Sequence, residues 1–339
     1  MSDENQNGTG HDEQTLAFRS LTPDAIIDAV EARGYLCDGR MLALNSYENR
    51  VYQVGIEDAE PVIVKFYRPL RWSDDAILEE HAFSQELADA ELPVVAPLID
   101  DSGESLHHHA LFRFAVYPRR GGRAPSLDDA DQLELIGRFL GQFHRIGASG
   151  RFHHRIELNI DAVLQQCAAY LLENDFLPEY LTAAYETLIE DVLTRVSGVL
   201  QQCGNVTHLR IHGDCHPGNI LIRDDHLNVV DLDDSCTGPA VHDLWMYLSG
   251  DRPYRTARLG DLLAGYTEFH DFDPRELRLI EPLRTLRMVY YAAWLARRYE
   301  DPAFQQAFPW FGSSRYWDDH ILALREQAAA LEEPPLVWD

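Results

Sequence analysis

The sequence predicts an α+β fold with a small antiparallel sheet in its N-terminal part and a large helical C-terminal part. Up to about residue 117, short β-branched and aromatic runs alternate with turn residues, which is typical of strands. From residue 127 onward, apolar residues recur every three or four positions, as they do along amphipathic helices. The arginine- and glycine-rich run Arg119–Arg123 separates the two patterns. The expected organisation is an N-terminal lobe, a hinge and a C-terminal lobe at 15–117, 118–123 and 124–339.

The N-terminal lobe is predicted to begin with a helix at Pro23–Ala32. Thr22 is a suitable N-cap, proline suits the first helical position, and Gly34 is a suitable stop. A second helix is predicted at 73–90, because Ser73 is an N-cap residue ahead of a helix-like stretch. Strands are predicted at 41–45, 50–56, 61–67, 94–100 and 109–117.

The C-terminal lobe is predicted to be mainly helical. Asp129 to Ile146 carries apolar side chains at helical spacing, namely Leu133, Leu135, Ile136, Phe139, Leu140 and Phe143. Further helices are predicted at 160–173, 178–201, 240–249, 257–270, 275–299 and 316–331. Two strands at 219–223 and 227–232 are the exception, and Asp224–His226 is predicted to form the turn of a hairpin between them.

Composition and charge narrow the classes of protein. Lys and Arg number 29 against 56 Asp and Glu, a formal charge of −27, whereas nucleic-acid and anionic-membrane binding require a basic surface. No apolar run is long enough to span a bilayer, and residues 1–14 are polar without a signal-peptide core, which predicts a disordered tail. The five cysteines share no metal-type spacing, so we expect reduced thiols in a cytoplasmic protein. Nothing resembles a sustained coiled-coil seam, which predicts a monomer.

Two short segments, His212–Asn219 and Val229–Asp233, carry the candidate chemistry. Asp214 is followed five positions later by Asn219, and Asp231 stands twelve positions after that, at the end of an apolar strand. In kinase-like folds the first Asp takes the proton of a hydroxyl group, while the Asn and the second Asp hold Mg²⁺ on the ATP phosphates. The spacing therefore indicates an ATP-dependent phosphotransferase.

Two other interpretations of these residues remain open. The segment Asp214–Asn219 contains Pro and Gly and could be no more than a turn. His212, Asp214 and His216 could instead be metal ligands of a phosphoesterase, since His and carboxylate cluster in such sites. That site needs further His-rich segments, and the histidines at 107–109 and 153–154 have no neighbouring Asp or Asn in a ligand-like arrangement. The hydrolase interpretation is therefore the weaker one.

The order of features upstream favours the kinase interpretation. Pro61–Tyr67 is a β-branched run that carries Lys65, and the predicted helix after it carries Glu79 and Glu80, either of which could pair with the lysine. Taken singly, the lysine could be an edge-strand charge and the glutamates a solvated helix face. Strand lysine, helix glutamate, Asp-x4-Asn and strand aspartate in this order predict a protein kinase-like bilobal fold.

Eight segments carry a resemblance to a known family: Leu44–Tyr52, Val64–Pro69, Ile77–His81, His212–His216, Val230–Asp234, Gly238–Val241, Asp243–Met246 and Leu286–Tyr291. On these segments the sequence resembles the aminoglycoside phosphotransferase and choline kinase superfamily, and within it the bacterial stress response kinase A family of Ser/Thr protein kinases. The resemblance covers nearly the whole chain from about residue 15. It implies an ATP-binding N-terminal lobe, a catalytic C-terminal lobe, ATP and Mg²⁺ as cofactors, and a role in the stress response.

The resemblance also implies roles for individual residues. Asp214 would be the catalytic base, and Asp231 would be a second catalytic residue that ligates Mg²⁺ together with Asn219. Lys65 would hold the α- and β-phosphates of ATP. Glu80 would orient this lysine, with Glu79 as the other candidate.

Three further groups of residues have implied roles. Ser46 would lie over the phosphates, in a loop that contains no glycine. The segment from Arg113 to Tyr117 would offer backbone groups to adenine, and the contacts named are those of Arg113, Ala115 and Tyr117. His212 would support the catalytic loop.

The acceptor of the phosphoryl group is open from the residues alone. The resemblance favours a protein Ser or Thr hydroxyl, including one on the enzyme itself. The alternative acceptor is a small alcohol such as an aminoglycoside, choline or a sugar alcohol. Aromatic side chains could hold a cationic acceptor by cation–π contact or could simply pack in the core; they are Tyr290, Tyr291, Trp294, Trp310 and Trp317. A pseudokinase is disfavoured, because all the catalytic positions are occupied by suitable residues.

Overall fold

The computed structural model describes Phe18 and residues 20–338. The predicted tail at 1–14 lies outside the described residues. The described chain divides into two compact units. The first unit contains the described residues up to Pro125 together with Phe152–Arg155 and Pro217–Ser235, and the second contains the remainder. Two later segments therefore belong to the first unit, which a single predicted boundary at 118–123 did not anticipate.

The first unit is built around a five-stranded antiparallel sheet. Up to residue 118 its elements are α1 (Pro23–Glu31), β1 (Cys37–Ala43), β2 (Arg50–Ile56), β3 (Val62–Phe66), α2 (Asp74–Asp89), β4 (His107–His109) and β5 (Phe112–Pro118). The strand order in the sheet is β1-β2-β3-β5-β4. Helix α1 lays Ile26, Ala29 and Val30 against the sheet, and the shared core includes Val64 and Phe114. This apolar layer supports β3 and β5 from one side.

Local signals explain which predicted elements of the first unit were right. Thr22 accepts a hydrogen bond from the Ala25 backbone N–H at 3.2 Å, so the predicted N-cap of α1 is confirmed. The predicted strand at 94–100 is wrong. Only an isolated bridge joins Val94 to Val229 there, and Pro97 removes a donor from the segment.

A β-hairpin in the first unit holds two of the candidate site residues. Its strands are β7 (Ile220–Arg223) and β8 (His226–Val229), and the two turn residues Asp224 and Asp225 have positive φ, as a tight hairpin turn requires. The backbone N–H of Val229 donates to the carbonyl of Pro93 at 2.8 Å. Asn219 directly precedes this hairpin and Asp231 follows it.

The second unit is mainly helical. Its elements are α3 (Ala130–Gly147), α4 (Ile160–Glu173), α5 (Glu179–Cys203), β6 (Leu209–Ile211), β9 (Cys236–Gly238), α6 (Arg252–Tyr266), α7 (Ile280–Ala296), α8 (Pro302–Ala307) and α9 (Ser314–Ala330). Strands β6 and β9 form an antiparallel pair that was not predicted, because three residues are too few to show a pattern. The helix predicted at 240–249 is wrong: two short 3-10 turns, Ala240–Asp243 and Trp245–Tyr247, stand there instead.

Helices α3 and α6 approach each other closely through glycine. A Cβ atom on Gly137 or Gly141 would overlap the backbone carbonyl oxygen of Leu262 or Tyr266, and one on Gly265 would overlap that of Glu134. The two helices therefore meet backbone to backbone. Across the described chain, none of the helices combines the length and the apolar character that crossing a bilayer would demand.

Candidate active site

In the second unit, a buried carboxylate holds the backbone of the loop that carries Asp214. The backbone N–H groups of His212 and Gly213 donate to the Asp243 carboxylate at 2.7 and 2.9 Å. Nε2 of His144 donates to the same carboxylate at 3.1 Å, and Nδ1 of His144 lies 3.0 Å from the Tyr266 hydroxyl. Burial raises the pKa of Asp243, but the bond from His144 and the nearby histidines hold that pKa below its ordinary value. Asp243 is therefore an ionised brace for the loop.

Asp214 itself is partly exposed and makes an ion pair. Nη1 of Arg287 donates to Oδ1 of Asp214 at 2.7 Å, and Nε2 of His216 lies 3.7 Å from its Oδ2. The backbone N–H of Asp214 donates to Nδ1 of His212 at 3.3 Å, which agrees with a supporting role for this histidine. The neighbouring Cys215 is fully buried, and burial raises the pKa of its thiol well above the ordinary range, so it is not a reactive thiolate.

The 3-10 turn that leads to Asp243 is in turn held by a second buried carboxyl group. Oε2 of Glu276 accepts the backbone N–H of Val241 at 2.8 Å, and the Glu276 residue is only 3% exposed. Burial raises the pKa of Glu276 to about 7, against the lowering effect of the backbone N–H groups of Val241 and Ala240. This carboxyl group consequently binds its proton more tightly in the folded protein than in the unfolded chain.

Glu276→Gln is expected to change how stability depends on pH. Because the folded pKa of Glu276 is raised to about 7, the free energy of unfolding contributed by this group is lost as pH rises from its unfolded value near 4.5 through 7. The loss is up to about 3 kcal/mol, and a neutral amide that still accepts the Val241 N–H avoids it. Urea denaturation at pH 5 and pH 8 should show the variant gaining stability over the wild type as pH rises. If the free energies of unfolding of the two proteins differed by the same amount at pH 5 and pH 8, the raised pKa of Glu276 would be contradicted.

In the first unit, Lys65 and Asp231 form a close ion pair although 166 residues separate them. Nζ of Lys65 lies 2.6 Å from Oδ1 of Asp231 and 3.5 Å from Oδ1 of Asp233. The ammonium group lies 5.6 and 5.9 Å from the ring centroids of Tyr67 and Tyr117. Burial lowers the pKa of Lys65, but the two carboxylates more than offset this and raise the pKa well above its ordinary value. The side chain of Lys65 therefore stays protonated and positively charged.

The two candidate partners of Lys65 on α2 have different surroundings. Glu79 accepts the backbone N–H groups of His153, His154 and Arg155 at 2.6, 2.8 and 2.9 Å, so its carboxylate is committed to that segment. Glu80 is 2% exposed and accepts the Ser84 hydroxyl at 2.9 Å. Burial raises the pKa of Glu80, and the charge of Lys65 opposes this rise. This mutual charge effect favours Glu80 over Glu79 as the residue that orients Lys65. Within the described part of the chain, the ion-pair partners of Lys65 are Asp231 and Asp233.

Asp233 is the centre of a buried charge network that sequence reasoning missed. Its carboxylate accepts a hydrogen bond from Asn49 Nδ2 at 3.1 Å and a bond from Arg71, in addition to its contact with Lys65. Its backbone carbonyl accepts a bond from Arg155. Burial raises the pKa of Asp233, but the three cations hold that pKa far below its ordinary value. Asn49 and Asp233 belong to the segments that carry the family resemblance, whereas nothing in the sequence pattern marks Arg71 or Arg155.

The glycine-free loop between β1 and β2 is held by arginine side chains. Nε and Nη2 of Arg68 donate to the backbone carbonyls of Glu48 and Tyr47 at 2.8 and 3.0 Å. The carboxylate of Glu48 lies 3.1 Å from Nε of Arg68 and 3.7 Å from Nε of Arg71. Ser46 is partly exposed in this loop. Bonds to carbonyls therefore fix the loop and do not consume its backbone N–H groups.

The predicted adenine contacts on β5 are not supported by the register of the sheet. Ala115 lies opposite Lys65 and Tyr117 opposite Ile63, and the carbonyl of Arg113 accepts the Tyr67 N–H at 2.9 Å. Hydrogen-bonded pairs alternate along an antiparallel ladder, so the carbonyl of Arg113 and the backbone groups of Ala115 and Tyr117 face β3. A backbone contact from these groups to adenine would have to compete with the ladder.

Asn219 and Asp231 stand at the two ends of the hairpin. The carbonyl of Asn219 accepts the Val230 N–H at 3.0 Å, which closes the hairpin beside Asp231. Asp231 has φ +63° and ψ +63°, a left-handed conformation that is rare outside glycine and frequent at functional sites. Its side chain is 50% exposed. An amide and a carboxylate oxygen are donors of the kind that Mg²⁺ prefers, so these residues fit the ion.

The phosphoesterase interpretation finds no support in this arrangement. Within the described ranges, there is no group of three or more His, Cys, Asp or Glu side chains suited to hold a metal ion. A two-metal hydrolase needs such a cage, whereas a Mg²⁺ ion held partly by substrate phosphates needs only one or two protein carboxylates.

Comparisons with known proteins agree with this fold. The model of the family described as "Phosphotransferase enzyme family" (APH) matches residues 41–280. Stress response kinase A of Escherichia coli strain K12 is 44% identical over 95% of this chain and 97% of that protein. Serine/threonine protein kinase RdoA of Salmonella typhimurium strain LT2 is 42% identical over 96% of this chain and 98% of that protein. Among solved structures, amicoumacin kinase hAmiN in complex with AMP-PNP, Ca²⁺ and Ami has a TM-score of 0.70 at 19% identity, over 93% of this chain and 95% of that one.

The match over residues 41–280 defines the class: the chain belongs to the phosphotransferase enzyme family. Within that family it belongs with the stress response kinase A proteins, and it is an ATP-dependent kinase. The α+β fold class and the family resemblance predicted from the sequence are confirmed.

Proposed function

We propose that this protein is a Mg²⁺-dependent Ser/Thr protein kinase that acts in the cytoplasm as a monomer and transfers the γ-phosphoryl group of ATP to a protein hydroxyl, including one on its own chain. The ion pair between Lys65 and Asp231 carries the proposal. It brings the sequence-predicted phosphate ligand to within 2.6 Å of the sequence-predicted metal ligand. The names of the relatives support a protein acceptor and a role in the stress response.

Each site residue has a task that its chemistry suits. Asn219 and Asp231 would hold Mg²⁺, which when bound neutralises charge on the phosphates. Lys65, which stays positively charged, would leave Asp231 and bind the α- and β-phosphates. Glu80 would provide a negative charge near Lys65. Ser46 would contact the phosphates from the glycine-free loop. Adenine would be held by backbone groups other than those bonded within the β3–β5 ladder.

Asp214 would accept the proton of the acceptor hydroxyl as the new bond to phosphorus forms. The loop around it is braced by Asp243, so its backbone is positioned before the substrate arrives. Catalysis would rest on position and charge neutralisation without a covalent enzyme intermediate.

A small-molecule acceptor is the second candidate, and partly exposed aromatic side chains favour it. Tyr290, Tyr291 and Trp310 are 40%, 42% and 42% exposed, and Tyr291 stacks on Trp294 with ring centroids 5.9 Å apart. Such a group could bind a cation. Trp317, by contrast, is buried and packs in the core. The similar solved structure is that of an amicoumacin kinase, and the likeness to it supports the fold alone.

Asp214→Asn is expected to reduce phosphoryl transfer at least about a hundredfold, because it removes the general base. The wild type and the variant are incubated with Mg²⁺ and γ-labelled ATP, alone, with a basic carrier protein, and with a panel of small alcohols. Labelled protein that is lost in the variant supports the proposed function, provided that both proteins bind ATP equally in calorimetry. Label found only on a small alcohol would favour the second candidate. Transfer by the variant within threefold of the wild type would show that Asp214 is not the base.

A further inference from the structure

The ion pair between Arg287 and Asp214 is notable because it involves the proposed catalytic base. Arg287 lies on α7, 73 residues along the chain from Asp214, and its Nη1 donates to Oδ1 of Asp214 at 2.7 Å. The side chains are 50% and 28% exposed. Ion pairs this exposed contribute little to stability, so the contact is not needed to fold the protein. Its effect falls on the carboxylate that the proposed function assigns as the base.

The loop holds the backbone of Asp214, and Nε2 of its own His216 lies 3.7 Å from Oδ2 of the carboxylate. The N–H of Asp214 donates to Nδ1 of His212, and its carbonyl accepts the N–H of His216 at 2.8 Å. The torsion that rotates an aspartate carboxylate is broad, so a fixed backbone alone does not set the direction of its two oxygens. An arginine has planar, rigidly spaced donors and can restrict that rotation. Arg287 supplies such a donor from a separate, well-packed helix.

Arg287 stands on a helix that is itself fixed in the second unit. Nη2 of Arg284, one turn earlier, donates to the carbonyl of Leu248 at 3.0 Å, and Nε of Arg284 lies 3.3 Å from the Glu281 carboxylate. Leu286 and Val289, on either side of Arg287, are buried. The guanidinium group of Arg287 therefore reaches Asp214 from a rigidly held helix.

We propose that Arg287 is a positioning residue for phosphoryl transfer: it holds Oδ1 of Asp214 and thereby directs the carboxylate towards the acceptor hydroxyl. The proposal rests on the proposed function. In the step it assists, the hydroxyl proton passes to Asp214, the acceptor oxygen forms a bond to the γ-phosphorus, and the bond from that phosphorus to the bridging oxygen breaks. The bonding electrons leave with ADP. Arg287 touches none of the reacting atoms and acts through Asp214.

The expected result is a loss confined to the rate of transfer. Arg287→Gln should lower kcat ten- to a hundredfold, while the KM for ATP changes less than twofold and the melting temperature stays within 2 °C of the wild type. Arg287→Lys should recover part of the rate. Added guanidinium ion at low millimolar concentration should restore part of the activity of Arg287→Ala and none of that of Asp214→Asn. Arg315→Gln is the matched control, because the Arg315 side chain on α9 is 91% exposed. Its kcat, KM and melting temperature should equal those of the wild type.

Three outcomes would overturn the proposal in different ways. Unchanged kcat in Arg287→Gln, with an active wild type, would overturn this inference alone. A lowered melting temperature with kcat and KM both changed, and no recovery with lysine or guanidinium, would assign Arg287 a structural role instead. A wild type that binds ATP but transfers no phosphoryl group to any acceptor would overturn the proposed function and this inference with it.

Discussion

Asp233→Asn is expected to lower the free energy of unfolding by about 3 kcal/mol, because it removes the charge from a buried carboxylate that faces several cations. Asp233 is 3% exposed, and its carboxylate contacts Lys65 and Arg71. The amide can still accept the hydrogen bond from Asn49, so the loss is mainly that of charge. Denaturation in urea or guanidinium chloride measures it. We also expect kcat/KM for ATP to fall by more than about tenfold, since Lys65 and the loop at 45–49 lose a shared anchor.

The neighbouring carboxylate offers a matched control for this prediction. Asp234 is bonded to the same Arg71, but its side chain is 43% exposed. Asp234→Asn should therefore cost less than about 1 kcal/mol, as is usual for exposed ion pairs. Equal losses for the two variants would show that the burial of Asp233 does not decide its contribution. Unchanged stability in Asp233→Asn, even with lowered activity, would contradict the network's structural role.

Locally encoded elements of the fold were predictable from the sequence, and those that depend on distant partners were not. The helix at Ile160–Glu173 has the predicted bounds, because its N-cap and apolar spacing lie within the segment itself. Strand β1 begins at Cys37, earlier than predicted, because Gly39 with φ +82° makes an irregularity that resembles a turn in sequence. The segment at 240–249 is apolar at helical spacing but forms 3-10 turns, since Asp243 must turn inward to brace the loop before β7.

The candidate site divides in the same way. Asp214, Asn219 and Asp231 were predicted from spacing within a short stretch, whereas several contacts of the site join residues that are far apart in the chain. Arg287 is 73 residues from Asp214, and Asn49 is 184 residues from Asp233. No periodicity links such positions, so only the folded chain reveals them. The predicted roles of Asp214, Asn219, Asp231 and Lys65 stay predictions until transfer is measured.

Gly137→Ala is expected to destabilise the second unit by about 3 kcal/mol or more. The new methyl group would overlap the backbone carbonyl oxygen of Leu262, and the carbonyl carbon would lie 3.0 Å away. Overpacking usually costs about 1–3 kcal/mol when side chains can move aside, and here the obstacle is helix backbone that cannot. Relief requires α3 and α6 to separate, which would also disturb Gly141 and Gly265 at the same contact. Thermal or chemical denaturation of the variant measures the loss.

Gly260→Ala is the control for this prediction, because Gly260 lies in α6 and a methyl group added there would have nothing within 4 Å. Alanine there should stabilise the helix by roughly 0.5–1 kcal/mol through its higher helix propensity. Opposite signs for the two substitutions would separate close helix contact from propensity, since both replace a helical glycine by alanine. If Gly137→Ala were also neutral or stabilising, the helices would not meet backbone to backbone. Because His144 on α3 and Tyr266 on α6 meet in the hydrogen bonds that reach Asp243, a loosened contact should also reduce transfer.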